Sequence, residues 1–325
     1  MCGRGALTLS ADRCQRVAGS ARRDVRLRGT ARLRTKYNLG PQSYVPVIRT
    51  AHDGNTNCSS DREVCAMRWG LVPSFAKRSE DYDVFKGGST TFNARVEGAE
   101  SSNLWRRLLD RSRGVVLFDG FYEWKAVGKS KVPMYIRNRD EYDGHSIPWP
   151  SEPEVEEEAS KHRSGEQESP AQAPLLLAGL FDCWQSQKDS SDSETVDSVT
   201  ILTMDPSCTP MENVHDRMPV FLTPDTAALW LDETKPFATI IQLVLKASKA
   251  HAASQLLFYE VSPLVSNIRN ETPDCIIPRK EYDAKQLSKG IGRFFKKKED
   301  ATTAGEKRKA EVLHEAADAR VICLD

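Results

Sequence analysis

The stretch Val115-Val116-Leu117-Phe118-Asp119-Gly120-Phe121-Tyr122-Glu123-Trp124 decides the fold. β-Branched and aromatic residues dominate it, which is the chemistry of a strand. A single glycine inside such a run, Gly120, marks a kink or a close backbone approach. Asp119 and Glu123 carry two carboxyl groups into an otherwise apolar segment. Runs of the same kind recur on both sides: Tyr44 to Thr50, Glu63 to Trp69, Val132 to Arg137, Leu175 to Phe181, Ser198 to Met204 and Phe258 to Val261. Cys2 to Leu9 reads as a further short strand. Helix signals are fewer. Ser10 caps Ala11 to Ala18, which Gly19 stops. Asn103 to Asp110 suits a helix with Leu104, Trp105 and Leu108 as its apolar stripe. Thr223-Pro224 opens a helix to about Leu231, and Pro236 to about Gln255 reads as one or two more. Many short strands with few helices argue against a doubly wound parallel sheet. The expectation is an α+β fold with a mostly antiparallel β-sheet core and short flanking helices.

Away from these elements the composition changes. Glu141 to Ala173 and Gln185 to Asp197 are rich in Pro, Ser and acidic residues and poor in apolar ones, the mark of disordered inserts. The chain beyond Asp283 is polar. One domain over residues 2–283, with inserts at about 141–173 and 185–197 and a disordered tail from 284 to 325, accounts for the 325 residues. Forty-six Lys and Arg balance 46 Asp and Glu, so net charge excludes nothing, but the distribution is uneven. Ten basic residues lie between Arg4 and Lys36 against only Asp12 and Asp24, the signature of a polyanion-facing surface. Between Asp140 and Glu168, ten acidic residues face only Lys161 and Arg163, as in a solvated insert. The eight cysteines show no CxxC pair and no metal-ligand spacing. They read as reduced thiols of a nuclear or cytosolic protein. No metal or cofactor is expected. No apolar run reaches the ~18 residues of a membrane span.

Four polar clusters interrupt the apolar runs: Cys2-Gly3-Arg4, Asn93 to Glu97, Asp119 to Trp124, and His215 to Pro219. Cys2 follows Met1. Removal of Met1 leaves an α-amine and a thiol on adjacent carbons, with ordinary pKa values of about 7.7–8.0 and about 8.5. Such a 1,2-aminothiol traps an aldehyde in two steps, as an imine that the thiolate closes to a thiazolidine. Glu123, between two aromatic residues, is a half-buried carboxyl suited to proton transfer. Asn93 can orient an amine or hydroxyl, and His215 can shuttle a proton. Singly, each has a structural explanation: an ion pair, a turn cap, a core histidine.

Together these clusters resemble the SRAP family, the SOS-response-associated peptidases and abasic-site processing proteins. The resemblance rests on Cys2-Gly3-Arg4, Met67 to Pro73, Asn93 to Glu97, Asp119 to Trp124 and His215 to Pro219, in order. It extends to about Pro278. Val96 replaces a common Ser or Ala, and Phe75 stands where Trp often follows Pro-Ser. No family role reaches the acidic insert.

The resemblance implies single-stranded DNA containing abasic sites as substrate, and a covalent thiazolidine crosslink through Cys2. It assigns Cys2 as nucleophile, Asn93 as the group that positions amine and sugar, Glu123 as general acid/base and His215 as proton-transfer partner. It also implies DNA contacts by Arg4 and Arg95 to phosphates, Trp69 by base stacking and Pro41 as a wedge. A peptidase label comes with the family through self-processing, here removal of Met1. The alternative is a noncatalytic reader of modified bases, which needs no free Cys2 amine. In the tail, Ser288 to Phe295 carries the aliphatic and paired aromatic residues of a sliding-clamp motif: Ile291, Phe294 and Phe295, with Ser288 in place of Gln. Lys307-Arg308-Lys309 fits nuclear import.

Overall fold

The computed structural model describes residues 3–19, 25–51, 62–83, 86–88, 90–139, 141–142, 171–186 and 194–288. Cys2, the clamp-motif residues Ile291, Phe294 and Phe295, and Lys307 to Lys309 lie outside the described residues. The strands are β1 (Gly5–Leu7), β2 (Arg26–Arg28), β3 (Lys36–Leu39), β4 (Tyr44–Thr50), β5 (Arg62–Trp69), β6 (Asn93–Arg95), β7 (Arg113–Phe118) and β8 (Gly120–Val127). They continue with β9 (Ser130–Asn138), β10 (Glu141–Tyr142), β11 (Ala171–Gln172), β12 (Leu175–Gln185), β13 (Thr195–Met204), β14 (Met218–Pro219), β15 (Phe221–Leu222) and β16 (Leu256–Glu260). Within residues 3–276 they are accompanied by α1 (Ala11–Ala18), α2 (Pro224–Leu231) and α3 (Phe237–Ser254).

Two sheets organise the first compact unit, Met1–Ile276. In one, β16, β9, β8, β1 and β3 lie side by side, every pairing antiparallel. In the other, β5, β4, β7, β12 and β13 pair in turn, and β13 returns to β5 through Ser198↔Arg68 and Val199↔Trp69. That last pairing closes a barrel, which removes the exposed edges a flat sheet would leave. The core is mostly antiparallel, as the sequence implies. The parallel pairings are β13 with β5, β13 with β6, and β2 with β5.

The aromatic run that reads as one strand is two strands in two sheets. β7 belongs to the barrel, β8 to the open sheet, and Asp119 sits at the corner. A Cβ on Gly120 would lie 2.4 Å from Cζ of Tyr135 and 2.7 Å from the carbonyl oxygen of Ile136, so only glycine fits there. Asp119 is buried and ties the corner to β1. Its amide donates to Ala6 O at 3.0 Å, and its carboxylate accepts from the Thr8 amide.

The helices follow local chemistry. The Ser10 hydroxyl accepts from Arg13 N, and Cys14, Val17 and Ala18 form the buried stripe of α1. Thr223 and Thr226 cap each other's backbone at the start of α2, with Pro224 in its first turn. Pro236 offers α3 no side-chain cap, and the Asp110 carboxylate accepts from Phe237 N at 2.7 Å instead. The expected helix over Asn103 to Asp110 is absent. Only a 3₁₀ turn forms, at Arg106–Leu108. Eight residues cannot hold an isolated helix, and here Leu104 and Trp105 are only half-buried, so packing does not rescue it.

The barrel strands also run further than the apolar pattern. β12 extends through Gln185 and β13 starts at Thr195, both inside the expected second insert. β10 and β11 pair across the neck of the first insert. Residues 279–288 are helical and belong to the second unit, Ile277–Asp325, so the expected boundary at 283 falls within that helix. No described helix is long and apolar enough to cross a membrane.

Candidate active site

β8 carries the central group. Glu123 alternates with Tyr122 and Trp124 along the strand and is only 4% exposed. Burial pushes its carboxyl up to about 7. Nε2 of His215 stands 3.7 Å from its Oε2. His215 follows a 3₁₀ turn, Pro210–Asn213, and its amide bonds to Met211 O at 3.0 Å.

The other ring nitrogen has two suitors. Nδ1 lies 3.1 Å from the Arg217 amide and 2.7 Å from the Asp216 carboxylate. A neutral ring protonated on Nε2 accepts from the amide and points its proton at Glu123. A charged ring donates to Asp216 instead. Burial lowers the His215 pKa and Asp216 opposes it.

The motif around Asn93 is bolted to the one around His215. Arg217 bonds both carboxylate oxygens of Glu97, at 2.8 and 2.7 Å, and Thr203 O at 2.7 Å. Burial acts upward on the Glu97 carboxyl, but Arg217 outweighs it and the pKa falls. β6 thereby lies beside β13, with Asn93 opposite Ile201 and Arg95 opposite Thr203. Asn93 is half-buried, and Arg95, two residues on, is exposed.

β1 leads back toward the same place from its pairing with β8. Gly5 pairs with Phe121 and the Tyr122 amide donates to Arg4 O at 3.0 Å. Continued by two residues, that register sets Arg4 opposite Tyr122 and Gly3 opposite Glu123. Arg4 itself is committed inward. Its guanidinium bonds Asn38 Oδ1 at 2.7 Å and Val265 O at 3.0 Å, and sits 5.7 Å from the Trp124 ring centre. Asn38, fully buried, also donates to the carbonyls of Val265, Asn267 and Asn270. Arg4 therefore braces the entry of β1 and has little left for a phosphate. Sequence reasoning missed Asn38, because a lone Asn before Leu-Gly-Pro reads as a turn residue.

Trp69 is a correction. It is 0% exposed, with its ring edge-on to Phe92 and Phe118 and its Nε1 donating to Phe92 O at 2.9 Å. A ring enclosed on every side cannot stack on a base. The exposed aromatic of this region is Phe75, 60% exposed, with the Arg107 guanidinium 5.0 Å from its ring centre. The signal for it was the departure at the position after Pro-Ser. Pro41 is half-buried in the turn after β3, where Ser43 N bonds Gly40 O.

A family model described as SOS response associated peptidase (SRAP) matches residues 1–268. The chain belongs to the SRAP family. It is 34% identical over 316 residues to the abasic site processing protein HMCES of Gallus gallus, covering 93% of this chain and 86% of that protein. It is 27% identical over 241 residues to the abasic site processing protein YoqW of Bacillus subtilis, covering 74% and 84%. A solved structure from Bacteroides thetaiotaomicron superposes with a TM-score of 0.56 at 20% identity, over 85% of this chain and 99% of that one. That likeness concerns the SRAP fold alone. The family match takes in Glu123, His215, Asn93 and the strand that precedes them all, β1.

Proposed function

We propose that this SRAP chain processes abasic sites by forming a covalent thiazolidine between Cys2 and the sugar aldehyde in single-stranded DNA. One observation carries the reading: β1 runs antiparallel to β8 in a register that, continued, sets Gly3 opposite the buried Glu123, whose partner is His215. The relatives named as abasic site processing proteins support it. Removal of Met1 frees the amine. The amine adds to C1′ of the open sugar, giving a carbinolamine. Water leaves as Glu123 donates its proton to the departing hydroxyl, and an imine forms. The Cys2 thiolate then adds to the same carbon, and the imine nitrogen takes up a proton as the five-membered ring closes. His215 relays protons between the thiol, Glu123 and solvent. Asn93 orients the amine and the sugar.

Intact-mass measurement after incubation with an abasic single-stranded oligonucleotide tests this. The expected mass is the chain without Met1, plus the oligonucleotide, minus one water. Cys2→Ala should show only the uncoupled chain, and Cys2→Ser should not restore the adduct, because a hydroxyl closes the ring poorly. A full adduct with Cys2→Ala sinks the mechanism. Equal binding of intact and abasic strands with no adduct at all would instead favour a noncatalytic reader of modified bases.

A further inference from the structure

A groove of about 420 Å³ opens where the end of β13 meets α3. Val96, Met204 and Leu245 give it an apolar floor. Gln242, Lys246 and Lys249 form the α3 wall, and Glu97 and Asp205 stand opposite. The volume lies within the ordinary range of ligand sites, about 300–1,000 Å³.

The charges do not cancel evenly. Glu97 is held by both nitrogens of Arg217. Asp205 accepts from the Ser207 amide and hydroxyl and faces Lys249 at 3.5 Å. Lys246 is exposed and makes no ion pair among the described residues. The groove therefore offers an apolar surface, an amide and one uncommitted cation. A base plus its phosphate matches that set. A purely apolar ligand leaves Lys246 unused, and a bare phosphate leaves the floor unused.

Position narrows the choice. β6 begins at Asn93 and runs directly into Val96 and Glu97. Three residues of strand span roughly 10 Å, the reach of about three stacked nucleotides at ~3.4 Å each. Exposed Arg95 lies between the two ends. Arg217 bonds Thr203 O, the residue before Met204 of the groove floor. One short stretch of chain, Asn93 to Glu97, thus joins site and groove, with Arg95 at its middle.

We infer that this groove is a subsite for one nucleotide of the bound strand, within about three positions of the abasic site, with its base on Val96, Met204 and Leu245 and its phosphate at Lys246. The inference rests on the DNA reading above.

The test uses the full chain and single-stranded oligonucleotides carrying a tetrahydrofuran abasic analogue. The analogue has no aldehyde, so only noncovalent affinity is read. The strand is lengthened one nucleotide at a time on the 5′ side or the 3′ side. Affinity should step up about tenfold at one length on one side only, the scale of a stacked base. Lys246→Glu should collapse that step to about onefold. A parent with no step, or a step that survives Lys246→Glu, overturns the subsite. Competition by free nucleoside monophosphate without any length step identifies a site for free nucleotides and also overturns it. Covalent capture of a true abasic strand by the parent, measured separately by mass, shows whether the DNA reading has survived a failure of the subsite.

Discussion

Glu123 is the residue on which the chemistry turns, because burial holds its proton to a pH where most carboxyl groups have lost theirs. A donor with a pKa of about 7 is matched to protonating a leaving hydroxyl near neutral pH. The crosslinking rate should therefore rise with pH as the Cys2 amine loses its proton, then fall above about 7 as Glu123 loses its own. Glu123→Gln should slow crosslinking about 100-fold and erase the falling limb; rate against pH by gel shift of the adduct decides it. The stability sign is separate. A carboxyl whose folded pKa is raised favours the folded state fully below its unfolded value, and the benefit disappears as pH rises through the folded one. The melting temperature of Glu123→Gln should thus exceed the parent's at pH 8 and match it at pH 4. A mutant that crosslinks at the parent rate makes Glu123 structural. Glu123 and His215, which the structure sets 3.7 Å apart, could be singled out in the sequence because a carboxylate and an imidazole stand out in apolar runs. The carbonyls that Asn38 bonds lie more than 200 residues from it, and Glu97 lies 120 residues from the Arg217 that holds it at both oxygens, so neither arrangement was legible.

Elements show a sharper division. Helices with an apolar pattern and a cap were legible: α1 begins and ends where Ser10 and Gly19 place it, and α2 begins where Thr223 and Pro224 place it. What failed depends on partners. β2, exposed on all three residues, exists because β5 offers it a parallel edge. The Val115 to Trp124 run divides between sheets because Tyr135 forbids a side chain at Gly120, which no local pattern reveals. Trp69 was misread for the same reason. Its sequence context gives no sign that β13 folds back on β5 and seals it inside the barrel. Trp69→Ala should then act through stability: a loss of about 3–5 kcal/mol lowers the melting temperature by roughly 10 °C in a chain of this size. Phe75→Ala should leave melting near the parent's and weaken single-strand binding about tenfold, as expected for one lost stacking contact. Calorimetry with fluorescence anisotropy separates the two. A Trp69→Ala protein that melts normally but binds poorly returns base stacking to that residue.

The whole molecule carries its basic residues in two classes. Much of the Arg4–Lys36 block is already partnered: Arg28 with Glu63 at 3.5 Å, Lys36 with Glu271 at 2.9 Å, Arg32 on the ring of Tyr44, and Arg4 with Asn38. A cation with a carboxylate beside it gains little by meeting a phosphate. Around the site the situation differs. Arg95 follows Asn93, Lys125 shares the Glu123 face of β8, Lys131 lies on β9 near enough to depress the His215 pKa, and Lys246 borders the groove. None of these four makes an ion pair among the described residues. If they are the phosphate contacts, four on a single strand give a slope of log affinity against log salt of roughly −3. Between 50 and 200 mM salt, affinity should then fall roughly 50-fold. Removing one contact takes about 0.7 off the slope, so Arg95→Ala should flatten it by that amount while Arg28→Ala leaves it unchanged. Anisotropy titrations on the tetrahydrofuran strand at four salt concentrations read both. A slope that flattens with Arg28→Ala but not with Arg95→Ala would move the strand from the Glu123 side of the molecule to the surface of β2, and the path from Asn93 to Lys246 would fall with it.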